Sequence, residues 1–236
     1  MSEQPLQLDP KIYQTKTEFF QNLAFSHLPE MRLIFRGGKL WKKDRWRNVA
    51  EHCLVQIAVA DSLSDLLGLS SEEKADLIKV AACHDWAKRL ERSPNDFTEA
   101  EIIKAKMFLK SVNPRQNLMA ATGPSFQEKY LKGESTFLER LQSFIDNIVL
   151  GSEIVGYDQR IDVTERRSPE LRDNTELEAK LGGQFFDKVR EFDYQVAQEI
   201  FARLPSSVMD QMGEPQNIPL YLRKQVENKW QSSVNE

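Results

Sequence analysis

Histidine and cysteine are scarce in this 236-residue chain, which has only His27, His52 and His84 and only Cys53 and Cys83. Two cysteines are too few for a disulfide framework at this length. A zinc module of two Cys and two His fails on spacing, because each cysteine stands next to a histidine in sequence. Neighbours on a helix point about 100° apart, whereas zinc modules bring ligands in close C-x-x-C-like pairs. Both cysteines therefore read as small core residues. Apolar runs fall short of the roughly 18 residues a membrane span needs. The segment Met1 to Lys11 has neither the basic n-region nor the apolar h-region of a secretory signal, so a cytoplasmic protein with no membrane partner is expected. Glycine and proline, ten of each, are not in the excess that marks disorder. A formal charge of −4 gives no global pull toward nucleic acid or anionic lipid. No stretch alternates as a strand would, and no internal repeat is visible.

What is present is helical periodicity in a chain that is 40% hydrophobic and 29% charged, long enough for a sizeable core. Asp44 or Asn48 can open a helix running to about Leu67, with Gly68 ending it. Ser70-Ser71-Glu72-Glu73 reads as an N-cap followed by first-turn acids, launching a helix to about Leu90. After a break at residues 93–96 a further helix runs from about Thr98 to Val112 and stops at Asn113-Pro114. Ser135 or Thr136 caps a long helix from Phe137 to about Val155. Residues 156–175 read as polar and loop-rich, and a last long helix runs from Glu176 to about Leu204, with Gly182-Gly183 as a point of kinking or close approach. The end, from Pro205, reads as an extended tail with one short helix.

Three of these apolar helices carry chemistry-bearing residues: His52 in NVAEHCLVQIAVA, His84 and Asp85 in LIKVAACHDWAK, and Asp146 in FIDNIVL. A buried ionised aspartate is costly unless it is paired or metal-bound. Two carboxylates and two imidazoles directed into one core suit a single divalent ion such as Mn, Co, Fe, Zn or Mg. The alternative is that the histidines are satisfied core residues and the aspartates ordinary polar helix residues.

The order His, then His-Asp, then Asp, each in an apolar helix, resembles the HD superfamily of metal-dependent phosphohydrolases. The resemblance covers roughly Trp41 to Arg160, with Arg160 matching an arginine that follows the final aspartate. It implies an all-α fold, an HD-domain-like helical bundle with an additional C-terminal helix and tail. On that division residues 1–40 are an N-terminal extension, 41–160 the metal-binding core, and 161–236 a loop, long helix and tail packing on the core. It also implies His52, His84, Asp85 and Asp146 as metal ligands. No histidine follows His84, so the extra imidazoles that two-metal cyclic-nucleotide phosphodiesterases of this type use are missing, and one metal is expected. Where many relatives carry a histidine between the HD pair and the last aspartate, this chain has MAATGPSFQ, so Thr122 to Ser125 would shape the pocket without ligating.

Upstream of His52 lies a basic and aromatic segment from Arg32 to Arg47, whose bland reading is a solvated loop and whose sharper reading is a phosphate clamp with a stacking indole. The order Trp41, Arg45, Arg47 and Glu51-His52 is similar to the segment opening the 5'-deoxynucleotidase branch. The resemblance thus makes Trp41, Arg45 and Arg47 substrate-binding candidates. Lys88 stands where that branch has an acidic residue and matches the HDxxK form of other HD phosphohydrolases, in which the lysine approaches phosphate. Asp85, Lys88, Arg45 and Arg47 are the catalytic candidates.

Glu51 as a His52 partner, and Asp96, Glu99 or Glu101 as a general base, rank lower. Asp158 and Arg160 are expected to pair, and His27 to have no special role. The functional expectation is a metal-dependent phosphohydrolase acting on a small phosphorylated substrate, such as a nucleotide. The alternative is a catalytically inactive nucleotide-binding or regulatory protein, motivated by Lys88 and the missing middle histidine. The long C-terminal helix allows a homodimer. Single-stranded nucleic acid is disfavoured by the acidic total and the want of a repeated aromatic platform.

Overall fold

The computed structural model describes residues 47–85 and 98–234, of which 76% are helical and 2% in strands, so the all-α expectation holds. Among the described residues no helix is long and apolar enough to cross a membrane.

Helix α1, Arg47–Leu67, is the central element. Every residue from His52 to Ser64 is buried, which marks a helix covered on all sides and puts His52 in the interior. It ends where Gly68 takes a φ of +61°, a conformation that glycine adopts without Cβ strain, and Leu69 N–H closes onto the Ser64 carbonyl at 3.0 Å. Helix α2, Ser71–Cys83, starts from the expected cap. Ser70 Oγ accepts from the Glu73 N–H and Glu73 accepts from the Ser70 N–H, a reciprocal capping box. α2 makes the most extensive packing on α1; it ends at Cys83 with His84 as C-cap and His84-Asp85 in a turn, and the rest of the expected run to Leu90 lies outside the described residues.

Helices α3 (Glu99–Val112), α4 (Gln116–Met119) and α5 (Gly123–Leu131) follow. α6, Phe137–Asn147, starts from a second capping box, Thr136 with Glu139, and packs on both α1 and α2. It ends eight residues before the expected Val155. Val149–Leu150 (β1) and Glu153–Ile154 (β2) instead form a short antiparallel hairpin, in register Val149 with Ile154, turning at Gly151 with a φ of +59°. The apolar residues 148–150 and 154–155 fit a helical stripe and a strand pair equally well, and the glycine turn decides for the strands.

Residues 156–175 are helical rather than loop-rich: α7 spans Tyr157–Arg167, α8 Pro169–Arg172, and α9 Thr175–Leu181. α7 buries only Tyr157 and Ile161, so its periodicity is faint in sequence. It is held by ion pairs from Arg190 to Asp162 at 2.8 Å and Glu165 at 2.7 Å. The last long helix is broken at Gly182-Gly183 and resumes as α10, Phe185–Phe201. The C-terminal segment is also helical: α11 is Ser206–Met212, and a turn of 3-10 helix at Pro215–Asn217 leads into α12, Ile218–Val234. Its prolines stand before or in first turns, where a missing N–H leaves no bond unmade.

One apolar cluster runs from Leu54 of α1 to Val226 of α12, with Phe144, Phe186 and Phe192 among its largest fully buried side chains. α12 is fastened to α1 by charge as well. The buried Asp61 meets Lys74 of α2 at 2.8 Å and Lys229 of α12 at 3.0 Å. Burial opposes the charge on Asp61, but the two ammonium groups outweigh it and hold its carboxyl below the usual range. Asp61→Ala is expected to cost about 2 kcal/mol in denaturant unfolding, less than a fully buried pair because both lysines reach solvent. A loss under about 0.5 kcal/mol would show that α12 is held by apolar packing alone.

Candidate metal centre

The interior of α1, the C-terminal end of α2 and the last turn of α6 meet at one point, and there lie His52, His84 with Asp85, and Asp146. His52, His84 and Asp85 each offer a ligand atom within 4.8 Å of the others. Asp146 Oδ1 lies 3.1 Å from His52 Nε2 and 3.5 Å from His84 Nε2. His84 Nε2 lies 3.8 Å from Asp85 Oδ1, and the two imidazole rings are 5.4 Å apart, centre to centre. The four candidate ligands are thus brought together from segments up to 94 residues apart.

The donor chemistry fits a divalent ion. His84 Nδ1 lies 3.1 Å from the Ala81 carbonyl oxygen, which can only accept, so the neutral ring carries its proton there and Nε2 carries a lone pair. That Nε2 atom is buried, among the described residues no hydrogen bond of ordinary length reaches it, and it faces two carboxylates at 3.5 and 3.8 Å. A metal with bonds of about 2.1 Å keeps neighbouring ligand atoms about 3.0–3.4 Å apart, close to the separations around Asp146. α2 and α6 also end beside the cluster, and helix C-termini favour positive charge.

Burial disfavours charge on both sides of the His84–Asp146 contact, yet the mutual attraction wins. The Asp146 carboxyl is held well below the usual carboxylate range by His52 and His84, and the His84 imidazole is raised by Asp146 and Asp85. The side chains of Asp85 and Asp146 are 15% and 21% exposed against 4% for His84, so solvent reaches the cluster from the carboxylate side.

The remaining candidates divide. Trp41, Arg45 and Lys88 lie outside the described residues, as do Asp96 and His27, and the side chains of Arg47, Glu51 and Glu101 are likewise not described. Glu99 is exposed at the first position of α3, and Thr122 and Ser125 are exposed at the start of α5. Arg160 does not take up the expected pair with Asp158. Its Nη1 donates along its own helix to Thr164 Oγ1 at 2.7 Å. Cys53 and Cys83 are buried and take no part in the His52–His84–Asp85 group, and burial pushes the Cys83 thiol up to about 12, which keeps it protonated.

Sequence reading passed over three residues beside the site. Gln56, one turn after His52 and fully buried, donates to Asp146 Oδ1 at 2.7 Å. Asn147 donates its side-chain amide to both oxygens of Asp193, at 3.2 and 2.9 Å. Asp193 lies at the buried face of α10. A polar residue inside an apolar helical run was the available signal for Gln56 and Asp193.

Burial pushes the Asp193 carboxyl well above its ordinary value, Asn147 opposes this, and the charges of Asp146 and Asp158 add to it. The folded chain therefore keeps a proton that the unfolded chain releases near about pH 3.9. The stabilisation this gives is complete below that pH and is lost as pH rises through the raised folded value. Asp193→Asn keeps an acceptor for Asn147 and removes the titration. Its unfolding free energy, followed by urea denaturation from acid to mildly alkaline pH, should lack this decline and exceed that of the parent at the alkaline end. Parallel curves for the two proteins would place the decline elsewhere.

Comparison with protein families, with curated proteins and with solved structures finds no match. Fold and site together define a helical protein with a largely enclosed His-His-Asp group that could hold a metal ion.

Proposed function

We propose that this chain is a metal-dependent phosphohydrolase of the HD type, acting on a nucleotide or a similar small phosphate ester. The observation that carries the reading is the buried His84 Nε2, set against His52, Asp85 and Asp146 and, among the described residues, with no hydrogen bond of ordinary length. The placement of the four residues in or directly after helices is in keeping with an HD-like bundle.

In this reading His52, His84, Asp85 and Asp146 would hold one divalent ion, which would supply Lewis acidity toward a phosphoryl oxygen and lower the pKa of a bound water. Ala81 keeps the His84 proton on Nδ1 and so keeps Nε2 available. Asp85, on the solvent side, would help orient the attacking water. Arg45, Arg47 and Lys88 bind the phosphate and offset its developing charge, and Trp41 stacks on the base.

The test is hydrolysis of a panel of nucleotides with several divalent ions. Activity that requires a metal and disappears in Asp85→Ala supports the assignment. Nucleotide-induced thermal stabilisation without product in every combination would instead favour a regulatory nucleotide-binding protein.

A further inference from the structure

Gln56 Nε2 lies 2.8 Å from His52 Nε2 and 2.7 Å from Asp146 Oδ1, while those two atoms are 3.1 Å from each other. The nitrogen end of the amide must face Asp146, since a carboxylate only accepts. A carboxylate oxygen can accept from an amide and still bind a cation through another lone pair. An amide nitrogen only donates, so its 2.8 Å contact puts the neutral His52 ring in the tautomer with its proton on Nδ1; in that tautomer Nε2 has one lone pair in the ring plane, and an amide N–H directed at it and a cation compete for the same electrons. The other end of the amide adds no anchor, because Gln56 Oε1 is buried without a hydrogen bond. Among the described residues the two contacts to the site are the hydrogen bonds of this side chain, which is otherwise enclosed by packing.

We infer that the Gln56 amide is a built-in competitor at the metal centre: it occupies the lone pair of His52 Nε2 and is displaced from it when a divalent ion binds, and so lowers the affinity of the centre. This rests on the metal reading above. It makes Gln56 a positioning residue that acts through His52, with an effect opposite in sign to that of a residue supporting the ligands, whose removal weakens binding.

The experiment is calorimetric titration of the full chain, after chelator treatment, with Mn(II) and with Zn(II), for the wild type and for Gln56→Leu. The expected result is about tenfold tighter binding by the variant, the loss of one competing hydrogen bond. Its melting temperature should fall in chelator and return near the wild-type value at metal saturation. Unchanged or weaker binding by a folded variant overturns the inference while leaving the metal centre in place. A wild type that takes up no stoichiometric ion overturns the metal centre itself, and this inference with it.

Should Gln56→Leu fail to fold, the wild type provides a second readout. The Gln56 side-chain amide proton resonance must shift upfield when Zn(II) is added, as its hydrogen bond to His52 is lost, and a resonance that stays in place overturns the inference.

Discussion

His84→Ala will abolish stoichiometric binding of a divalent ion and, with it, metal-dependent hydrolysis. His84 contributes a buried ligand nitrogen, Nε2, that faces two carboxylates, with the other ring nitrogen held by the Ala81 carbonyl. Changes in residues that merely support metal ligands cost roughly 10–100-fold in affinity, so removing a ligand is expected to cost more than about a hundredfold. Metal analysis of protein purified without chelator or immobilised-metal contact, alongside the same preparation of His84→Ala, reads this directly. Asp146→Asn should behave alike, because it removes a carboxylate that lies within 3.1 and 3.5 Å of two imidazole nitrogens. Chelation of the wild type should also lower its melting temperature, since bound metal stabilises only the folded chain. Equal metal content in the wild type and both variants would show that the ion, if any, sits elsewhere, and the proposed phosphohydrolase would lose its centre.

The largest effect on stability is expected from Phe192→Ala. Phe192 is 1% exposed and meets Phe126 edge-to-face at 5.6 Å and Tyr130 at 4.6 Å, joining α10 to α5. Truncation removes the buried ring and leaves a cavity, a combination that costs about 3–5 kcal/mol. Against the ~5–15 kcal/mol that separates folded from unfolded states in typical domains, this is a large fraction. It corresponds to a fall in melting temperature on the order of 10 °C for a chain of this length. The change also reaches the site, because the adjacent Asp193 holds Asn147, the neighbour of Asp146. Denaturant unfolding and metal titration of the same variant separate the two consequences. A loss below about 1 kcal/mol would mean that the cavity collapses, with the ring contacts contributing little.

Much of the helical framework was legible because its signals are local. Ser70 with Glu73 and Thr136 with Glu139 are three residues apart, and each pair satisfies orphaned N–H groups within a single turn. Gly68 terminates α1 for a reason confined to its own backbone. What was misread depended on distant partners or on a choice between equally apolar conformations. The polar α7 relies on Arg190, some 25 residues further on, and α12 on Asp61, 168 residues before Lys229. The hairpin after Asn147 competes with a helical continuation of the same apolar residues, and the turn at Gly151 settles it.

The same division runs through the site. By itself the sequence determined which residues have metal-binding chemistry and that His52 and Asp146 belong to apolar helices with His84-Asp85 following another, because residue type and helical period are properties of short stretches. Only the tertiary structure decided that these side chains lie within a few ångströms of one another, that Gln56 reaches Asp146, and that Asp193 stands beside the cluster. Those facts arise where α1, α2, α6 and α10 cross in the core, and the distances among helices so far apart in the chain are set by packing rather than by spacing in sequence.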